Sequence, residues 1–188
     1  MKIMIDAGHG PETPGKRSPD GRLREFHFNS AVADAVKKRL GLDGHLVLFS
    51  HQKDADVPLH ERTNLANRLK VELFISIHAN AYGSTFNPSC GIECFTYTNP
   101  SAAAKTLAAS LQTALVLATG RPDRGVKKAD FAVLRDTNMP AVLIECGFMT
   151  NRIELELLKS ESYQNSCANA IVFGINCYQT AKNARRKA

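Results

Sequence analysis

Two histidines and two glutamates of this 188-residue chain stand where hydrolytic chemistry can be assembled: His9, Glu25, His78 and Glu145. His9 follows the short, mostly apolar run Lys2-Ile3-Met4-Ile5 and has Gly8 and Gly10 as neighbours. Glycine on both sides lets the backbone bend sharply and clears space around the imidazole. His78 closes the run L-F-I-S-I-H-A-N, and Glu145 closes A-V-L-I-E. Glu25 lies across a polar loop from His9. Two histidines and one glutamate suffice as protein ligands for a hydrolytic zinc, with a fourth position for a water whose pKa falls to about 7. A second carboxylate beside them can carry protons. Spacing does not say which glutamate does which, and the chain has no H-E-x-x-H helix and no cysteine-rich finger. The non-catalytic reading of Glu145 is a strand-end residue in a salt bridge with Arg135 or Arg152.

These residues need elements that bring them to one place. Residues 11–23 hold three prolines and two glycines and read as a loop. A helix from Arg24 to Leu40 follows, with Phe28, Val32, Val36 and Leu40 as its buried stripe. Leu46–Phe49 reads as a strand. Val57–Leu69 reads as a helix with Pro58 in its first turn. Leu73–Asn80 is an apolar run suited to a central strand buried on both faces. Ile92–Thr98 reads as a strand, Ser101–Thr119 as a helix capped by Ser101, and Gly120–Asp130 as a basic loop. Phe131–Leu134 and Ala141–Glu145 read as short strands. Helices follow from Thr150 to Leu158, with Thr150 or Asn151 as cap, and from about Glu161 to Ala181. Strands alternating with helices predict a single α/β domain with a mostly parallel sheet covered by helices on both faces. Such sheets form sites beyond the carboxyl ends of their strands. His9, His78 and Glu145 then share one edge, and the long loop lets Glu25 return to it.

Composition narrows the field. A chain this long buries roughly 70% of its unfolded surface. No apolar run approaches the about 20 residues of a membrane span, and Met1-Lys2-Ile3 does not begin a signal peptide. The expectation is synthesis in the cytoplasm without a signal peptide. Five cysteines, Cys90, Cys94, Cys146, Cys167 and Cys177, are an odd number with no C-x-x-C pair, and all five read as reduced thiols. The net charge is +6, partly from residues 182–188, which read as a basic tail beyond a domain of residues 1–181. Arg121, Arg124, Lys127 and Lys128 form a second basic cluster. It suits either a solubilising surface or an anionic polymer. No recognition helix or aromatic–basic platform supports nucleic acid. The other histidines rank below His9 and His78. His27 lies two residues from Glu25 and faces away on a helix, His45 and His51 read as surface, and His60 lies in a helix's first turn.

Four motifs, I-D-A-G-H-G (Ile5 to Gly10), R-E-F-H-F-N (Arg24 to Asn29), S-I-H-A-N (Ser76 to Asn80) and I-E-C-G-F-M-T-N (Ile144 to Asn151), resemble the zinc-dependent N-acetylmuramoyl-L-alanine amidases of bacteria and their phages, of the amidase family 3 type. R-T-N-L-A-N (Arg62 to Asn67) and R-G-V-K (Arg124 to Lys127) match as well. The likeness runs in order along nearly the whole chain. It implies a twisted, mostly parallel six-stranded sheet. It also implies one zinc ion held by His9, Glu25 and His78, with Glu145 as catalytic glutamate. The implied reaction is hydrolysis of the amide between N-acetylmuramic acid and L-alanine of the stem peptide. Asn80 and Arg124 are expected to position that peptide. The expected partner is peptidoglycan, met by a monomer after release through phage or mother-cell lysis. Many members carry a wall-binding module, which this sequence does not show. Some carry an inserted helix that blocks the zinc, and the interval from His78 to Glu145 reads as too ordinary for one. The rival readings are a zinc peptidase or deacetylase acting on another amide, and a non-catalytic wall-binding module.

Overall fold

The computed structural model describes residues 1–13 and 15–187, the last three as backbone only, so the expected loop position of Pro14 and the side chains of residues 185–188 lie outside the described residues. Six strands form one sheet: β1 (Lys2–Ala7), β2 (Leu46–Phe49), β3 (Leu73–Asn80), β4 (Ile92–Thr96), β5 (Asp123–Lys128) and β6 (Ala141–Phe148). Their order is β2-β1-β3-β6-β4-β5. The first four run parallel, β4 is antiparallel to β6, and β5 is parallel to β4. This is the mixed, mostly parallel sheet expected of the chain. The topology matters for the site. The carboxyl ends of β1, β3 and β6 share an edge with the amino ends of β4 and β5.

One face of the sheet carries the main core. Against it pack α1 (Glu25–Leu42), α3 (Ala102–Thr119), α5 (Arg152–Lys159) and α6 (Glu161–Lys187). The stripe Phe28, Val32, Val36 and Leu40 of α1 is fully buried, each side chain contributing about 1.5–3 kcal/mol of burial. The Ser101 side chain caps α3 by accepting from the Ala104 amide, and Asn151 caps α5 by accepting from Ile153 and Glu154. By length and composition α3 passes as a membrane-spanning helix, contrary to the sequence count. Its Leu107, Leu111 and Leu115, however, are buried in this core, and α6 is its main neighbour. The opposite face has a thinner cover, α2 (Leu59–Arg68) and α4 (Ala132–Arg135), over a smaller cluster that includes Met4, Phe74, Val133 and Leu143. That partial cover leaves a cleft of about 630 Å³ on the sheet.

Several expectations are corrected. The basic segment 120–130 contains the edge strand β5, whose charged, half-exposed residues keep it from pairing with a further strand. Phe131–Leu134 is not a strand, because Ala132–Arg135 form the single helical turn α4. Pro58 is the N-cap of α2, one residue before its first turn. His51 is buried, not at the surface: its ring packs 4.5 Å from that of Phe49, and Nδ1 accepts the Ala7 amide at 3.0 Å. The last helix continues through Lys187, past Ala181 and into the expected tail. Alanine, lysine and arginine all favour helix, and Lys182 reaches Glu72 at 3.5 Å. All five cysteines are free, as expected.

Candidate metal centre

β1 ends where Gly8 and His9 turn away from the sheet. His9 has a positive φ of 66°, a left-handed backbone that non-glycine residues seldom adopt. Arg62 of α2 holds that turn. Its guanidinium donates to the carbonyls of Ala7 (2.7 Å) and His9 (2.5 Å) and to Asp6 Oδ1 (2.8 Å). Gly8 makes room for a different histidine than the sequence suggests. A Cβ at this position would fall 2.0 Å from His78 Cε1, so the His78 ring lies flat against the Gly8 backbone. Gly15 is the glycine that faces the His9 ring, where an added Cβ would fall 3.1 Å from His9 Cγ.

Glu25 is the first residue of α1, where the unpaired amides of a helix start favour a negative charge. Its carboxylate is 2% exposed and lies between the two histidines. Oε2 is 3.1 Å from His9 Nε2, and Oε1 is 2.8 Å from His78 Nδ1. Burial pushes the Glu25 carboxyl up, but the hydrogen bonds and charges of His78 and His9 outweigh it and hold the group well below the usual carboxylate range. One ligand atom from each of His9, Glu25 and His78 lies within 4.8 Å of the other two.

A chain of hydrogen bonds sets the tautomer of His78. Asp6 is buried, with burial pushing its carboxyl up and Arg62, Ser50 and Ser76 together holding it below its ordinary value. An ionised carboxylate only accepts, so Ser76 gives its one proton to Asp6 Oδ2 at 2.6 Å. The Ser76 oxygen, 3.0 Å from His78 Nε2, is then left to accept the Nε2 proton. In the neutral ring that leaves the Nδ1 lone pair facing the Glu25 carboxylate, and Nδ1 donates to Glu25 only when His78 carries a second proton. Two acceptors at 2.8 Å repel unless a proton or a cation lies with them. The donor set suits zinc, whose bonds of about 2.0–2.2 Å separate tetrahedral ligand atoms by about 3.4 Å.

Glu145 pairs in register with His78 across β3 and β6 and lines the same cleft as His9 and His78. It is 8% exposed, and its Oε2 has no hydrogen-bond partner among the described residues. Burial raises its pKa well above the ordinary value, and the charges of Glu25 and Glu93 add to the rise. The salt-bridge reading fails. Arg135 pairs with Asp130 and Asp136, and Arg152 lies over the Phe86 ring at 4.0 Å. Two nearby carboxyls are thus driven in opposite directions, which is how acid–base roles are divided in hydrolytic sites. The remaining histidines stay out: His27 and His60 are exposed, and His45 lies 3.0 Å from the terminal amine of Met1.

Asn80 of β3 and Arg124 of β5 are both bound to Glu93, by Asn80 Nδ2 at 2.8 Å and Arg124 Nε at 2.7 Å. Glu93 escaped the sequence reading, because a carboxylate in an alternating strand reads as solvent-facing. Asp6, Ser76 and Arg62 lay inside recognised motifs, but their roles depend on contacts invisible along the chain.

A sequence profile of the N-acetylmuramoyl-L-alanine amidases, amidase family 3, matches residues 3–177. The chain is 36% identical to the N-acetylmuramoyl-L-alanine amidase LytC of Bacillus subtilis over 94% of its own length, and spans 35% of that protein. It is 34% identical to the sporulation-specific N-acetylmuramoyl-L-alanine amidase of the same organism, over 93% of this chain and 67% of that one. The crystal structure of an N-acetylmuramoyl-L-alanine amidase from Clostridium difficile superposes with a TM-score of 0.92 at 33% identity, covering 96% of this chain and 97% of that one. The match from β1 into α6, on a fold that brings His9, Glu25 and His78 together, means that the chain belongs to the N-acetylmuramoyl-L-alanine amidase family of hydrolases.

Proposed function

We propose that this chain is a zinc-dependent hydrolase that cleaves the amide between the lactyl group of N-acetylmuramic acid and L-alanine of the stem peptide. The observation that carries the reading is the pairing of a two-histidine, one-carboxylate cluster with a buried, unpartnered carboxyl in one cleft. His9, Glu25 and His78 are the residues that would hold the metal. When bound there, zinc supplies Lewis acidity, lowering the pKa of water to about 7 and polarising the amide carbonyl.

The chain's own residues do the rest. Glu145 takes a proton from the attacking water as the oxygen–carbon bond forms. It returns that proton to the nitrogen of L-alanine as the carbon–nitrogen bond breaks. A raised pKa suits both halves of that cycle, because the group can hold the proton between them. Asp6 and Ser76 keep His78 in one tautomer and one orientation. Val57, Pro58, Leu59 and Phe131 give the cleft an apolar wall that limits water around the reacting bond. Asn80 and Arg124 position the stem peptide. The domain is residues 1–181, the substrate is peptidoglycan, and the place of action is the cell wall. The 30% identity to the probable cell wall amidase LytH of Staphylococcus saprophyticus, over 94% of this chain and 57% of that one, supports that location.

The test is to digest purified walls and identify the new ends. The amidase reading requires free L-alanine amino termini matched by free lactyl carboxyls. New ends at any other amide would replace it with a peptidase or deacetylase.

A further inference from the structure

We infer that Glu93 is a positioning residue that holds Arg124 and Lys127 as a two-cation fork for a carboxylate on the peptide arm of the substrate. The inference rests on the proposed amidase reading. Glu93 of β4 pairs with Glu145 of β6 in antiparallel register, so both side chains project from the same face of the sheet. The fork therefore flanks the carboxyl proposed to handle protons.

Glu93 is buried, and a buried carboxylate is costly unless paired and hydrogen-bonded. Here its two oxygens meet three donors from two strands. Oε1 accepts from Asn80 of β3. Oε2 accepts from Arg124 Nε at 2.7 Å and from Lys127 Nζ, both on β5. Without that oxygen the two like charges would repel and swing into water. Lys16 joins the same rim, donating to Asn80 Oδ1 at 2.9 Å. Two cations, Arg124 and Lys127, thus share the one Glu93 charge.

The fork's open side faces outward. Arg124 and Lys127 side chains keep 35% and 40% of their surface exposed. Arg124 gives Nε to Glu93, and Nη1 makes only a 3.4 Å contact with the Cys90 carbonyl. The guanidinium is steadied over the Phe148 ring at 4.8 Å. Its outer N–H groups form a planar donor edge that matches a carboxylate. A peptide carries such a group and the sugar side of an amide does not require one, so the fork assigns the peptide arm to the β4–β5 side of Glu145.

The experiment compares two muramoyl peptides, one with free peptide carboxylates and one with each converted to a carboxamide. Turnover and calorimetric binding are measured on the zinc-loaded full chain. The wild type should bind and cleave the carboxylate form with a KM about tenfold lower, the worth of a charge-assisted hydrogen bond, and with similar kcat. Glu93→Gln should raise KM for the carboxylate peptide about tenfold more than for the carboxamide peptide, any change common to both peptides reflecting the lost Glu93 charge beside Glu145. That variant adds a positive charge to the rim, so simple Coulombic attraction would tighten binding instead. An unchanged or lower KM for the carboxylate peptide, or an equal loss on both peptides, would overturn the fork. If Glu93→Gln melts below the assay temperature, Arg124→Gln on the half-exposed side carries the test, with the same selective loss expected. A carboxylate preference in binding with no cleavage at all would retain the fork and overturn the amidase reading.

Discussion

Replacing Gly8 with alanine should dismantle the metal centre by the addition of one methyl group. The new Cβ would lie 2.0 Å from His78 Cε1, 2.3 Å from Nε2 and 2.4 Å from Nδ1. Carbon atoms at rest stay about 3.5 Å apart, so the ring must retreat by roughly 1.5 Å. Metal sites tolerate only about 0.2 Å in a ligand distance, so His78 would cease to be a ligand. Turnover should fall by at least about 10²-fold, the cost of a 1 Å misplacement. Zinc affinity should fall by more than the roughly 10–100-fold typical of losing an outer partner. The overpacked site should cost about 1–3 kcal/mol, a loss of roughly 2–12 °C in melting temperature for a chain of this size. The assay is zinc titration against a competing chelator, with melts of the metal-free protein beside it. Gly41→Ala is the control. Gly41 lies in α1, and a methyl group added there would meet nothing within 4 Å, so alanine should leave zinc binding intact. A Gly8→Ala protein that binds zinc like the wild type would refute the assignment of His78.

Other perturbations separate the remaining roles. Glu145→Gln should retain zinc while losing about 10²–10⁴-fold in turnover, whereas Glu25→Gln should weaken zinc and turnover together; the opposite pattern would mean that the two roles are exchanged. Glu145 has a raised folded pKa, so its protonation supports the fold below its unfolded value and that support is lost as pH rises through the folded value. Metal-free Glu145→Gln should accordingly melt higher than the wild type at pH 8 but not at pH 4, and an equal difference at both would contradict the burial argument. Asp6 has the opposite sign, a folded pKa below the ordinary 3.8, so its contribution is present above that value and fades as pH falls through the folded one. Asp6→Asn should cost about 3–5 kcal/mol near neutrality by stranding the buried Arg62 charge, with the gap to wild type closing in acid; urea melts across pH would show it.

The ends of strands were the most legible part of the chain. Apolar runs stop abruptly at Asp6-Ala7-Gly8, at His78 and at Glu145, and a parallel sheet has to bring such ends to one edge. Glu25 was legible only through its motif, because a loop of many residues can return anywhere. β5 was not legible, since D-R-G-V-K-K has no apolar alternation and is held by pairing with β4 on the outside of the sheet. A four-residue apolar run such as Phe131–Leu134 does not distinguish strand from helical turn. His51 and Glu93 share a cause. Their partners lie 44, 13, 31 and 34 residues away, and nothing in the neighbouring sequence records them.

One zinc, held by His9, Glu25 and His78, is proposed to drive cleavage at the lactyl–alanine amide. The decisive measurement strips the protein with chelator and titrates zinc back while the end groups released from purified peptidoglycan are counted. No cleavage is expected without metal, followed by a linear recovery that stops at one zinc per chain, with every new amino terminus an L-alanine. Cleavage that survives stripping, or that yields another amino terminus at full zinc occupancy, would contradict the proposal.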